Sequence, residues 1–265
     1  MSEIDDRAAA ISTSELSKAY GEVPALWPID LEVPAGQRLS LIGHNGSGKT
    51  TLIRMLAGVL EPTGGTATIA GHPIGSPDAR AAMSYLSDQP VFYDDLSVWQ
   101  HLEYIARLHR TDDWEDHASS LLDSLGIAHR ADDLPITFSR GLKQKASIAI
   151  AFVRPFDVML IDEPFVGLDS AGRSALLDLI AWAHRDGASM VVATHELTSV
   201  SASDRLIALS DGQVVYDGAP VGADLDLLVT AAPPDEVGDS IDPHATTDTA
   251  PDTVPDGEVD DSDAE

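Results

Sequence analysis

The sequence predicts an α/β fold in which a parallel sheet is covered by helices, and three observations carry that prediction. A glycine-rich loop at residues 43–50, Gly-His-Asn-Gly-Ser-Gly-Lys-Thr, joins the apolar run Leu39–Ile42 to a helical pattern from Thr51 to Leu56. The stretch Asp157–Ile161 is continuously apolar after its aspartate, as strands buried on both faces of a parallel sheet are. Beyond it, helical patterns at 170–186 and 195–202 flank a strand pattern at 188–193, and such alternation is the mark of strands joined by crossover helices.

The elements follow in order. Glu15–Tyr20 and Ile29–Val33 read as strands, with a turn at Pro34–Gly36. Gly64 and Gly65 turn the chain into a strand at Thr66–Ala70, and Met83–Leu86 is a short core strand. The middle changes period. Ser97 caps a helix whose apolar face is Val98, Leu102, Ile105 and Leu108. A second helix carries Trp114, Ala118, Leu121, Leu122 and Leu125 and stops at Gly126, and a third runs from Ser139 to about Arg154. Residues 96–154 therefore form a helical insertion between strands. A hairpin, Arg205–Leu209 and Gln213–Tyr216 around Asp211-Gly212, closes the domain. Residues 1–10 read as an N-terminal arm, 11–232 as the folded domain, and 233–265, rich in Asp, Pro and Thr, as an acidic disordered tail.

Composition narrows the function. The chain has 265 residues, 43% of them hydrophobic, enough for a packed core. It has no cysteine, which excludes disulfides and thiolate metal sites. No window approaches the ~18 consecutive apolar residues of a membrane span, and the acidic start, Met-Ser-Glu-Ile-Asp-Asp, lacks the apolar core of a secretory signal. A cytoplasmic protein, or one held at a membrane by another subunit, is expected. The net charge is −28, and the 12 acids of residues 233–265, with no Lys or Arg, leave −16 over residues 1–232. Such a surface repels a nucleic-acid backbone, so no nucleic acid is expected as a partner.

The loop carries chemistry. Gly43, Gly46 and Gly48 let the backbone of His44, Asn45 and Ser47 curl so that N–H groups converge on phosphate oxygens at a helix N-terminus, which Thr51 continues. Lys49 reaches the β- and γ-phosphates, and the Thr50 hydroxyl suits Mg²⁺. The buried strand at 157–161 ends in Asp162-Glu163-Pro164. Two adjacent carboxylates there are costly without a cation. Asp162 sits where phosphate-loop enzymes hold Mg²⁺, and Glu163 is placed to polarise an attacking water.

These motifs, in this order, resemble the nucleotide-binding subunit of ATP-binding cassette (ABC) transporters over roughly residues 11–220. The resemblance adds several assignments. Residues 43–51 are the Walker A loop. Ser139, Arg140, Gly141 and Leu142, within Phe-Ser-Arg-Gly-Leu-Lys-Gln, resemble the family signature Leu-Ser-Gly-Gly-Gln, in a variant like that of exporter-type cassettes. Asp169 in Gly-Leu-Asp resembles the D-loop, His195 the switch histidine, and Tyr20 the aromatic residue that stacks on adenine. The fold implied is a P-loop NTPase core with a parallel sheet, an N-terminal antiparallel β subdomain and a helical insertion. The activity implied is ATP hydrolysis coupled to transport, with ATP and Mg²⁺ as cofactors. The partners implied are a separate transmembrane permease subunit and a second nucleotide-binding subunit, the same or a homologue, packed head to tail so that each ATP lies between the Walker loop of one copy and the signature of the other. The subunit would lie on the cytoplasmic face of the membrane.

Two departures stand out. The family's glutamine in the loop after residues 83–86 aligns with Asp88, while Gln89 follows one residue later. Position favours Asp88 and chemistry favours Gln89, toward which the reading leans. In the signature, Arg140 replaces a glycine and Leu142 the glutamine, and Arg140, Lys143 and Lys145 read as phosphate-facing or solvated helix charges. The groove near Val91, Phe92 and Tyr93 is where the family receives the permease. A soluble ABC ATPase acting on ribosomes or nucleic acid is the alternative function, disfavoured by the single cassette and the lack of cysteine or sustained heptads.

Overall fold

The computed structural model describes residues 9–230. The chain begins with an antiparallel hairpin, β1 (Ala9–Tyr20) and β2 (Val23–Pro34), and enters β3 (Arg38–Ile42) and α1 (Lys49–Leu56). It returns through β4 (Gly64–Ile69) and β5 (His72–Pro73), then α2 (Pro77–Ala82) and β6 (Met83–Leu86). The helical insertion holds α3 (Val98–Leu108), α4 (Trp114–Ser124) and α5 (Arg140–Phe152). The remainder is β7 (Val158–Asp162), α6 (Ser170–Arg185), β8 (Ser189–Ala193), α7 (Leu197–Ser201), β9 (Arg205–Ser210), β10 (Gln213–Gly218) and α8 (Leu225–Thr230).

Two sheets result. One is antiparallel, in the order β2-β1-β4-β5, and the other runs β10-β9-β3-β8-β7-β6 with only the β9–β10 pair antiparallel. The uninterrupted apolar sequence of β7 and β8 has a simple cause. Alternate residues point to opposite faces, and both faces are covered. Met159, Ile161, Met190 and Val192 enter the core shared with the helical insertion. Val158, Leu160, Val191 and Ala193 enter the core shared with α1 and the antiparallel sheet.

Some boundaries shift. β1 begins at Ala9, inside the expected arm, because Ala10 is buried and its carbonyl accepts the Ala70 N–H at 2.8 Å. The short α2, capped by Ser76, and the terminal α8 had no periodicity strong enough to announce them. In α3 the buried face is Val98, His101, Leu102 and Ala106, and Leu108 is exposed. His101 is tolerated inside because both ring nitrogens are used: Nδ1 bonds Ser97 O, and Nε2 accepts the Tyr93 N–H. The tail at 233–265 lies outside the described residues. Among the described residues no helix is long and apolar enough to cross a membrane.

Candidate active site

The glycine-rich loop leaves the carboxyl end of β3, between β8 and β9. Its tightness is enforced by close packing. Gly43 has φ +146°, and a Cβ there would lie 2.1 Å from the Leu209 carbonyl oxygen and 2.6 Å from Ser47 Oγ. Gly48, the residue before α1, has φ +104° and faces the Ala25 carbonyl oxygen, 2.9 Å from where a Cβ would stand. Any side chain at either position collides with fixed backbone. Gly46 also has positive φ but faces open space. His44 bonds across to Ser210 and Asp211, Asn45 is exposed, Thr51 is half-buried, and Ser47 Oγ is buried without a hydrogen-bond partner.

Lys49 folds back over the loop. Its ammonium donates to the carbonyls of Gly43 at 2.7 Å and His44 at 3.1 Å. Burial lowers its pKa, while Glu163 and Asp162 oppose that shift. Thr50, next on α1, donates its hydroxyl to Asp162 Oδ1 at 3.2 Å. So the two halves of the sequence pattern, 112 residues apart, meet at the carboxyl ends of β3 and β7, which flank β8 in the sheet.

Asp162 ends β7 and is wholly buried, and its second oxygen, Oδ2, has no partner. Desolvation is the chief reason its pKa is pushed up to about 6; repulsion from Asp88 and Glu163 adds to it, and the Thr50 hydrogen bond and Arg54 oppose it. An orphaned, buried carboxylate oxygen beside a threonine hydroxyl suits a hard divalent cation. Among the described residues no group of three His, Asp or Glu side chains could hold a metal alone. That fits Mg²⁺, which takes one or two protein ligands and completes its shell with water and substrate phosphates.

Glu163 follows with φ +43°, a left-handed conformation unusual for a side chain of this kind. Its N–H bonds Ala193 O at 2.9 Å. The turn aims the carboxylate at His195, whose Nε2 lies 2.9 Å from Glu163 Oε1. Burial, and then nearby Lys49, depress the His195 pKa. A carboxylate can only accept, so the His195 Nε2–H donates to ionised Glu163. The Glu163 pKa is raised, mainly by burial and further by Asp88, while Lys49 opposes the shift.

The structure separates Asp88 from Gln89. Asp88 is charge-coupled to both Asp162 and Glu163 and is bonded by Arg54 at 3.0 Å and by Ser87 Oγ at 3.2 Å. Gln89 is exposed and lines a groove of about 560 Å³ with Arg54, Tyr85, Val91, Phe92 and Ile105. Arg54 on α1 supplies the countercharge that a carboxylate needs there. Nothing local in the sequence points to Arg54, which lies 34 residues from its partner.

The signature segment lies elsewhere on the surface. Ser139 caps α5 by accepting the Leu142 N–H at 3.4 Å, and Ser139 and Arg140 are exposed. Among the described residues no hydrogen bond or ion pair joins Ser139–Leu142 to the loop at 43–51. α5 is instead fastened to the segment after Glu163. Gln144 Nε2 donates to Pro164 O at 3.0 Å, and a Cβ on Gly141 would meet Gly167 O at 2.6 Å. Lys145 corrects the expectation of a solvated or phosphate-facing charge: it is buried and donates to Asp169 at 3.1 Å. Asp169 in turn caps α6 through the Gly172 N–H. Tyr20, 57% exposed, ends β1 beside Val23. Lys18 lies 5.3 Å above its ring.

Comparison with known proteins agrees with this arrangement. The family pattern described as ABC transporter matches residues 26–166. An ABC transporter ATP-binding protein of Synechocystis sp. is 31% identical over 225 residues, 80% of this chain and 64% of that protein. The ABC transporter ATP-binding protein YthP of Bacillus subtilis is 34% identical over 196 residues, 73% of this chain and 79% of YthP. The aliphatic sulfonates import ATP-binding protein SsuB 1 of Paracoccus denitrificans is 35% identical over 215 residues, 78% of this chain and 82% of that protein. A solved structure, described as the ATP binding subunit of an ABC transporter, superposes with a TM-score of 0.78 at 31% identity, covering 83% of this chain and 98% of its own. With the phosphate loop, the paired carboxylates and these likenesses together, the chain belongs to the ABC transporter family, among its ATP-binding ATPases.

Proposed function

We propose that this chain powers a membrane transporter as one of two nucleotide-binding subunits that close on ATP and open on hydrolysis. The observation that carries the reading is the exposed N-terminus of α5. Ser139, Arg140, Gly141 and Leu142 present N–H groups and a positive charge at a helix N-terminus, but make no bond to their own phosphate loop. A head-to-tail second copy brings that helix end to the γ-phosphate. Lys49 and the loop N–H groups hold the phosphates, and Tyr20 stacks on the base. Thr50 and Asp162 hold Mg²⁺, which when bound neutralises phosphate charge. Glu163 takes the proton of the attacking water, and His195 orients Glu163 through their hydrogen bond. The Lys145–Asp169 ion pair, 3.1 Å long, positions the D-loop against the signature helix.

A separate permease docks in the groove beside Val91, Phe92 and Tyr93. Val91 is 93% exposed and Tyr93 55%, and such exposed apolar side chains mark interaction sites. In this reading the subunit lies on the cytoplasmic face of the membrane.

Sedimentation tests the reading. The isolated chain is expected to be monomeric without nucleotide and dimeric with ATP and Mg²⁺, with ADP unable to substitute because the facing helix end reads the third phosphate. A tight dimer independent of nucleotide overturns it.

Within the site, Asp88 acts on the metal and water side and Gln89 on the permease side. Asp88→Ala is expected to lower ATP turnover of the isolated chain by about tenfold or more, the scale of one lost charge-assisted contact, whereas Gln89→Ala leaves it near wild type. Equal small effects would remove both side chains from catalysis.

A further inference from the structure

We propose that a groove on the far side of the sheet from the phosphate loop binds an organic cation with an aromatic or aliphatic body. The groove has a volume of about 850 Å³, within the range of small-molecule sites. It opens at the amino ends of β7 and β8, at Val158 and Ser189. The carboxyl ends of the same strands carry Asp162 and lead to His195. Five-residue strands separate the two regions by roughly 15 Å, so the groove is not an extension of the ATP site.

Its walls are aromatic. Trp114, Trp182, Phe156 and His117 line it, and Trp182 is 45% exposed. His117 is held in place by its bond to Phe152 O at 2.9 Å, with its ring 6.0 Å from that of Trp182. Exposed indole faces attract cations.

The exposed charges in its lining have one sign. Asp112, Asp113, Asp157 and Asp186 stand along the groove, all exposed, and none forms an ion pair among the described residues. The buried Arg154 keeps its charge but turns its donors to the backbone: its guanidinium bonds the carbonyls of Arg80, Ala81, Met83 and Pro155. Thr111 adds a buried hydroxyl oxygen with no hydrogen-bond partner, a polar handle within an apolar wall.

Charge also selects the occupant. The chain's own segments outside the described residues are acidic: residues 1–8 have three acids against one arginine, and residues 233–265 have 12 acids and no Lys or Arg. An external cation of small-molecule size satisfies the aromatic faces, the carboxylates and the volume together.

The test titrates tetraphenylphosphonium into the nucleotide-free full chain by calorimetry, beside its anionic counterpart tetraphenylborate and neutral triphenylphosphine oxide. The cation is expected to bind one-to-one, at least about tenfold tighter than the neutral compound, a difference of ~1.4 kcal/mol, with no binding of the anion. Trp182→Ala and the double variant Asp157→Asn/Asp186→Asn are each expected to weaken the cation about tenfold, with ATP turnover unchanged and, for the double variant, an unchanged melting temperature. Asp157 and Asp186 are exposed, so the double variant tests the charge without loss of packing where Trp182→Ala also removes buried surface. Equal binding of the three compounds, no binding of the cation, or an affinity that neither variant changes overturns the proposal. None of these outcomes depends on how the ATP site works.

Discussion

Glu163→Gln is expected to lower ATP turnover by about 10²–10⁴-fold, the usual contribution of a general base, while ATP still binds and the chain is trapped as a dimer. The substitution keeps the volume and an oxygen able to accept from His195. It removes only the charge and the basicity. Those are what the surroundings have adjusted: burial and Asp88 raise the Glu163 pKa, and Lys49 limits the rise. A carboxylate with a raised pKa is a stronger base. Steady-state hydrolysis and sedimentation with ATP and Mg²⁺ read the two effects separately. Wild-type turnover in this variant removes Glu163 from the role of base.

Lys49→Ala is expected to abolish measurable ATP binding. The ammonium is anchored by two carbonyls, at 2.7 and 3.1 Å, which leaves one of its three N–H groups for a phosphate oxygen. One charge-assisted hydrogen bond contributes roughly 1.5–3 kcal/mol. The loss is larger here because Lys49 is also the cation facing Asp162 and Glu163. Without it, a triphosphate approaches the buried Asp162 and the half-buried Glu163 with no Lys49 charge between them. Equilibrium binding of a fluorescent ATP analogue, with melting temperature as a control for folding, measures this. An unchanged affinity would refute the phosphate-clamp role.

The contrast between the two variants separates recognition from chemistry. One loses the nucleotide, the other keeps it and fails to hydrolyse it. A chain that held nucleotide only for structural reasons would show the first effect and not the second.

The sequence by itself determined the phosphate loop, the apolar strand ending in Asp162-Glu163, and the α/β rhythm after residue 157. Each is a local pattern whose meaning is set by backbone geometry: Gly43 and Gly48 stand where any Cβ would meet carbonyl oxygens, and β7 is apolar throughout because both its faces are covered. Tertiary structure alone decided the partnerships between distant side chains. Thr50 meets Asp162, Arg54 neutralises Asp88, and Lys145 leaves solvent for Asp169. It also decided that Asp88 turns to the carboxylates while Gln89 lines the groove, and that four separate aspartates stand around one aromatic cleft. Charge and burial depend on everything packed around a residue, and no pattern within a short window of sequence carries that information.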